Sequence, residues 1–180
     1  MAPQEHSTFD SLNHFILKGI YAAGTFHIYD TLMVQSNDEP FSLYGLVAQT
    51  IDVANDNSKV AFTINPKVRW HDGKAITAED VAFTFNILRE KGHPYYRTMY
   101  KDIDRVEVDN SRKVTFYFNV KNNRELPLLV AQMPVIPEHY WGDREFDKTS
   151  MDIPLGSGPY KVGKLSGGKY ITYDRVPDYW

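Results

Sequence analysis

The histidines and the absence of cysteine determine which metal sites the chain could form. The sequence contains six histidines and no cysteine, which excludes disulfides, thiolate catalysis and cysteine-ligated metals. The histidines considered as ligands are His14, His27, His71, His93 and His139. They form no His-x3-His or His-Glu-x2-His pair, the spacings that place metal-binding side chains on one helical face. The sequence therefore predicts neither a protein-bound metal nor a cofactor.

Ser157 is the residue whose setting comes nearest to that of a catalytic nucleophile. A nucleophile elbow has the spacing Gly-x-Ser-x-Gly and leads into a helix. Here Gly156 and Gly158 flank the serine directly, and Pro159 forbids the helix that would have to follow. The glycines instead predict a tight passage of the backbone into a strand, where Ser157 and nearby amides could face a ligand. No catalytic residue is assigned.

A turn and a capped helix are predicted from the stretch RWHDGKAITAEDVAFTFNIL. Its Asp-Gly pair is typical of a tight turn, because Asp bonds the backbone two residues on and Gly accepts a positive φ. Thr77 then precedes apolar residues spaced as on one helical face, and Asp80 is placed to complete a capping box. We predict a helix over 78–91 that begins after Thr77 and ends at Gly92.

Antiparallel strands are predicted where apolar and polar residues alternate. One strand is KVAFTIN, which Asn65-Pro66 stops. A hairpin is expected with DNSR as a four-residue turn between apolar positions Ile103, Val106 and Val108 and apolar positions Val114, Phe116, Phe118 and Val120. A second hairpin is expected around Gly167-Gly168. Other segments are a short helix around Gly24, a helix or extended segment in NRELPLLVAQM, and a turn over 138–142.

The amino-acid composition limits which kinds of partner are expected. Of the 180 residues 42% are hydrophobic, enough to bury a core in one domain or in one domain and part of another. The net charge of -3, with interspersed signs and no basic run, gives no electrostatic footprint for nucleic acid or for an anionic membrane. No apolar stretch reaches the ~18 residues of a transmembrane helix, so direct membrane insertion is not expected.

Four segments resemble, in the same order, motifs of the extracellular solute-binding proteins of ABC importers that carry oligopeptides, dipeptides and nickel complexes. They are DTLM, FTINPKVRWHDGKAITAEDVAFTFNIL, LGSGPYKV and RVPDYW. Two departures are Ser157 in place of the commoner Thr, and Val176-Pro177-Asp178 in place of the usual Asn-Pro. Within the family, KGHPYY and NRELPLLVAQMPVIPEHYW are most similar to the microcin C-type peptide-uptake branch.

This resemblance implies an α+β fold, a mostly antiparallel sheet with flanking helices, forming the N-terminal part of a two-lobe periplasmic binding protein. Residues 1–42 would begin the first lobe, 43–154 form its small inserted subdomain, and 155–180 supply its return strands. The parent would capture peptides or peptide-like solutes, deliver them to the ABC permease, and act in the periplasm or outside the cell without catalysing a reaction. A peptide hydrolase and a structural or adhesive domain are the alternatives.

The resemblance also suggests where a ligand would lie. In the family the loop equivalent to FDSLNHFILKG borders the cleft, so Asn13, His14 and Phe15 are candidates for a binding lip, together with Ser157. An ordinary solvated loop is the alternative.

The same comparison implies packing roles for other aromatic residues. At least two of Tyr21, Phe26 and Tyr29 are expected to lie in the core. The turn containing Trp70, His71 and Asp72 is expected to be scaffold.

Overall fold

The computed structural model describes residues 8–39 and 42–180. Short strands and helices alternate along this part of the chain. In order they are a 3-10 helix Thr25–Ile28, β1 Met33–Gln35, β2 Leu43–Gly45, β3 Ala48–Val53, β4 Lys59–Ile64, α1 Ala78–Lys91, α2 Pro94–Met99, β5 Ile103–Asn110, β6 Lys113–Phe118, α3 Glu125–Ala131, α4 Glu138–Trp141, β7 Tyr160–Ser166 and β8 Tyr170–Arg175. In the described ranges the strands form three sheets, β1-β2, β3-β4-β6-β5 and β7-β8. Every strand pair is antiparallel, which confirms the predicted α+β class.

The four-stranded sheet follows from the alternation in its sequence. Buried Val60 lies opposite Phe116 and buried Phe62 lies opposite Val114, so one face of the sheet is apolar. Helix α1 covers that face, and Phe85 meets Phe116 edge to face with ring centroids 5.6 Å apart. One cluster of buried apolar side chains joins this sheet to the opening segment and to residues 126–146. The sheet and the opening segment therefore share a core.

The predicted helix and hairpins are confirmed, with one change of length. Helix α1 spans Ala78–Lys91 between Thr77 and Gly92, with the capping box formed by Thr77 and Asp80. In the first hairpin the strands continue to Asn110 and resume at Lys113, so the turn has fewer residues than predicted. Asp109 lies within β5 at a shift of register between Val108 and Asn110, and its carboxylate accepts a bond of 2.7 Å from the Thr115 hydroxyl on the partner strand.

The helix predicted around Gly24 is only a single 3-10 turn that begins after this glycine. Gly24 has φ +88°, a left-handed conformation that glycine adopts at little cost and that interrupts a helix. At the other end, the carbonyl of Ile28 accepts the amides of Ser157 and Gly158 at 3.0 and 2.7 Å. Because that carbonyl is bonded elsewhere, the helix does not continue.

The chain returns to its opening segment after α3. The amide of Leu32 donates to the Met133 carbonyl at 3.1 Å, and the amide of Val135 donates to the Asp30 carbonyl at 2.9 Å. Residues 133–135 therefore lie beside residues 30–32. Within the described ranges, no helix has the length and apolar character that crossing a membrane requires. The division into 1–42, 43–154 and 155–180 as parts of a lobe stays a prediction.

Candidate functional site

The opening loop has a rigid, buried base. The Ser11 hydroxyl accepts the amide of Asn13 at 3.0 Å, and the Asn13 side-chain oxygen accepts the amide of Phe15 at 3.0 Å. The Asn13 side-chain nitrogen donates to the Phe146 carbonyl at 2.9 Å. Asn13 is 3% exposed and Phe15 is fully buried. Both side chains are thus used inside the protein, where they hold the shape of the loop.

The tip of this loop is apolar and open to solvent. Leu17 is 64% exposed, Ile20 46% and Tyr21 51%. The tip is fastened at its base, since the Ile20 amide donates to the Asp10 carboxylate at 2.6 Å and the Ala22 amide donates to the Ser11 carbonyl at 2.9 Å. Exposed apolar side chains on a fixed loop are typical of binding surfaces. We refer to Leu17, Ile20 and Tyr21 as the loop tip.

His14 lies between the buried base and the loop tip. Its ring is 3.9 Å from the Phe15 ring, 5.7 Å from the Tyr29 ring and 6.2 Å from the Tyr21 ring, measured between centroids. Burial lowers the pKa of His14 to about 4, so the imidazole is neutral at physiological pH. Its Nδ1 atom has no hydrogen-bond partner among the described residues. Because that atom is itself buried, His14 contributes a neutral aromatic ring beside the loop tip.

The aromatic residues after the loop do not follow the expected packing. Tyr29 is buried at 7% exposure, but Phe26 is 59% exposed and Tyr21 belongs to the loop tip. The expectation that at least two of these three lie in the core is therefore wrong. Phe26 instead packs on the His27 ring at 4.0 Å, and His27 faces Tyr160 at 6.1 Å. The 3-10 helix is too short to turn a second aromatic face inward.

Ser157 lies where the chain passes tightly over residues 27–30. It is 1% exposed, and its hydroxyl accepts the amide of Asp30 at 3.1 Å. A Cβ on Gly158 would stand 2.5 Å from the His27 carbonyl oxygen, so only glycine fits here without a shift. We refer to the passage of residues 156–158 over residues 27–30 as the glycine crossing. The tight passage predicted from the two glycines is present. The Ser157 side chain is engaged within it and does not reach the surface of the described structure.

Asp30 is a buried titratable residue that sequence reasoning did not single out. One carboxylate oxygen accepts the Tyr179 hydroxyl at 3.0 Å, and the other has no partner among the described residues. Burial raises the pKa of Asp30 to about 7, although the hydrogen bond from Tyr179 opposes that rise. The signal in the sequence was an acidic residue inside the apolar stretch IYDTLM.

The Trp-His-Asp-Gly turn joins parts of the fold. The His71 amide donates to the Gly156 carbonyl at 2.8 Å, and a His71 ring nitrogen lies 2.8 Å from the Gly158 carbonyl oxygen. Asp72 pairs with His139 at 2.8 Å, and its carboxylate accepts the Lys74 amide at 3.1 Å. These contacts give the turn a scaffold role. In the described residues, no group of three His, Asp or Glu side chains has the arrangement to hold a metal ion.

The structure therefore separates the four predicted site residues. His14 lies beside the loop tip, whereas Asn13 and Phe15 support it from beneath and Ser157 is engaged at the glycine crossing. The loop tip itself was not predicted. The available signal was an apolar run on each side of the Lys-Gly pair in HFILKGIY, which is unusual for a solvated turn.

Comparison with known proteins identifies similar sequences. Residues 42–180 match the family described as bacterial extracellular solute-binding proteins, family 5, middle part. The chain is similar to the peptidoglycan-binding protein YepA of Agrobacterium fabrum, with 42% identity over 182 residues that cover 96% of this chain and 30% of that protein. It is also similar to the "Probable peptide-binding protein YejA" of the same organism, with 38% identity over 180 residues that cover 96% of this chain and 29% of that protein.

A solved structure has the same fold. It is the oligopeptide-binding protein AppA from Bacillus subtilis in complex with a nonapeptide, which aligns with a TM-score of 0.74 and 23% identity. The alignment covers 96% of this chain and 35% of that chain. At this identity the likeness concerns the fold alone. The chain spans about 30% of the length of the curated relatives named above.

Proposed function

Because the chain belongs to the bacterial extracellular solute-binding proteins of family 5, we propose that it is part of the substrate-binding component of an ABC importer. In this proposal it forms the first part of a longer two-lobe protein. That protein encloses its solute between the lobes by hinge closure and delivers it to a membrane permease. The site of action is the periplasm or the outside of the cell.

The solute class that we propose is a peptide or a peptide-like molecule. The names of two relatives, a peptidoglycan-binding protein and a probable peptide-binding protein, support this class. The observation that carries the assignment within this chain is the loop tip, an exposed apolar surface on a buried and hydrogen-bonded base. An apolar wall suits the varied side chains of peptides, and the neutral ring of His14 adds no charge beside it.

The hydrolase alternative has less support. A serine nucleophile needs an accessible hydroxyl and a base within hydrogen-bond reach. The Ser157 hydroxyl is buried and accepts a backbone amide, and His14 lies beside aromatic rings. We therefore propose that the protein binds its solute without converting it.

The role of the loop tip can be tested by calorimetry of the full-length protein with a mixture of short peptides. Replacing Ile20 by Ser should weaken binding about fivefold or more, since an isoleucine then loses about 1 kcal/mol or more of apolar burial. Ile153 is a matched control because it is 52% exposed, close to the 46% of Ile20, and lies outside the opening loop. Equal affinities for Ile20→Ser and Ile153→Ser would contradict the assignment of the loop tip.

A further inference from the structure

A second aromatic surface lies between helices α2 and α3. It is a groove of about 510 Å³, and Tyr95, Tyr96 and Tyr100 come from one side while Leu128 and Leu129 come from the other. We refer to these five residues as the tyrosine groove. Its rings are ordered against each other: Tyr95 meets Tyr96 edge to face at 6.0 Å, and Tyr96 stacks on Tyr100 at 6.0 Å.

The tyrosine groove leaves large apolar side chains in water. Tyr95 is 61% exposed and Leu128 is 40% exposed, although both lie on short helices that pack on the core. Tyrosine rings lose little conformational entropy on binding, because each has few rotatable bonds and these rings already contact one another. The groove is therefore prepared to cover an apolar group with little rearrangement.

The charge of the groove limits which kinds of side chain can bind in it. Among the described residues that line it, Glu125 is the single charged side chain. An anionic group would meet this carboxylate and the negative faces of the tyrosine rings. An uncharged apolar group meets no such repulsion. Glu125 therefore disfavours an acidic side chain, and the tyrosine rings and leucines of the lining suit an aromatic or branched aliphatic one.

The groove lies beside the opening loop. The His93 amide, at the start of α2, donates to the Phe15 carbonyl at 2.6 Å, and the Phe15 ring lies 6.4 Å from the Tyr96 ring. One molecule can therefore contact both surfaces.

We propose that the tyrosine groove is a specificity subsite that binds an uncharged aromatic or branched aliphatic side chain of the peptide whose other part contacts the loop tip. This inference rests on the proposed function, because it takes a peptide as the solute. It adds that recognition extends beyond the opening loop to the α2 and α3 helices, and that this extension selects among peptides by one side chain.

The experiment measures peptide binding to the full-length protein by calorimetry. It compares pentaalanine with two series of peptides, in which each alanine in turn is replaced by Phe or by Glu. The wild type should bind the best Phe peptide about tenfold more tightly than pentaalanine, as expected for burial of a large apolar side chain. It should bind no Glu peptide more tightly. In Leu128→Asp this preference for Phe should disappear.

Matched variants separate the groove from general effects on folding. Val34→Asp places the same charge on another exposed apolar residue, 45% exposed on β1, and should keep the preference for Phe. Tyr95→Ala should reduce the preference, whereas Tyr170→Ala, at a tyrosine that is 52% exposed, should not.

The outcomes distinguish the two proposals. Retention of the Phe preference in both Leu128→Asp and Tyr95→Ala, or its absence in a wild type that binds pentaalanine, would overturn the subsite alone. If the wild type binds none of the peptides, the proposed function fails and the subsite fails with it.

Discussion

At the scale of single residues, Asp30 couples the opening segment to the end of the described chain. Asp30 is 4% exposed, and only one of its carboxylate oxygens is bonded, to the Tyr179 hydroxyl, so ionisation is costly there. The pKa of Asp30 is raised from 3.8 to about 7 by burial. An acid whose folded pKa is raised contributes stability below its unfolded pKa and loses it as pH rises through the folded pKa. Asp30 should thus favour folding near pH 4 and oppose it above pH 7.

Replacing Asp30 by Asn should remove this dependence. The free energy of unfolding of the variant should rise relative to that of the wild type between pH 4 and pH 8, by up to about 4 kcal/mol at about 1.4 kcal/mol for each unit of pKa difference. Urea unfolding of both proteins at several pH values measures the difference between their free energies of unfolding. A difference that stays constant from pH 4 to pH 8 would show that Asp30 does not titrate with a raised pKa.

The sequence predicted which loop holds the candidate site, but not which of its side chains point toward the surface. The types of Asn13, His14 and Phe15 indicated a binding loop, yet residue type does not say which way a side chain points. Asn13 turns inward because its amide satisfies the Phe15 amide and the Phe146 carbonyl, and Phe146 is distant in sequence. Contacts of this kind have no local signature in the sequence. His14, which has no such partner, is the residue left beside the loop tip.

At the scale of elements, the start of α1 depends on a buried carboxylate more than on the capping hydroxyl. Asp80 is 5% exposed and accepts the amides of Thr77 and Glu138, each at 3.0 Å. The Trp70 indole also donates to it at 3.4 Å. One side chain thus fixes the helix N-terminus, the preceding turn and the start of α4.

Substitutions in this first turn should rank by the hydrogen bonds that they remove. Thr77→Ala should lower the free energy of unfolding by about 1 kcal/mol, the usual cost of losing a cap. Asp80→Ala should cost about 3 kcal/mol or more, because it leaves several donors without partners at a largely buried site. Exposed Glu79 in the same turn is the control, and Glu79→Ala should change stability by less than about 0.5 kcal/mol. Denaturant midpoints at equal m-values give the ranking, which a larger loss for Thr77→Ala than for Asp80→Ala would contradict.

The glycine crossing gives a second prediction for an element. Gly158→Ala places a Cβ 2.5 Å from the His27 carbonyl oxygen and should destabilise the protein by about 1–3 kcal/mol through overpacking. Gly167→Ala is the matched control in the β7-β8 turn, where a Cβ meets no atom within 4 Å. Thermal unfolding of the two variants tests the difference. Equal midpoints would show that residues 27–30 yield to the added methyl group.

Elements with a long periodic pattern were predictable, and short ones were not. Alternation predicted β4, β5 and β6, and the cap and apolar stripe predicted α1, because each signal extends over several residues. Strands β1 and β2 have three residues each, and β3 buries only its first residue fully. Their pairing comes from neighbours that the fold brings together. No local alternation marks them.

At the scale of the whole molecule, the fold class and the family could be predicted because the resembling motifs are scaffold. The Trp-His-Asp-Gly turn, the capped helix and the glycine crossing contact one another, so their residue types are constrained by packing. The ligand is not constrained in this way, since the loop tip and the tyrosine groove tolerate many apolar side chains. The narrower assignment to the microcin C-type branch stays a prediction for the same reason.

The last prediction is that the 180-residue chain binds peptides weakly, whereas the longer protein of the proposed function, in which two lobes enclose the solute, binds them well. The chain covers about 30% of the length of its curated relatives, and in the proposed function the rest of the protein closes the cleft. A peptide held on one wall keeps much of its surface in water, whereas pockets normally enclose most of a ligand. It still loses translational and rotational freedom, at a cost of about 4 kcal/mol or more.

Calorimetry of both proteins against one peptide mixture measures the difference. The full-length protein should show saturable binding, and the 180-residue chain should show weak or undetectable heat under the same conditions. The unfolding transition of the chain serves as the control that it is folded. Comparable affinity in the two proteins would place the complete site within these residues, and the loop tip with the tyrosine groove would then suffice to hold a peptide.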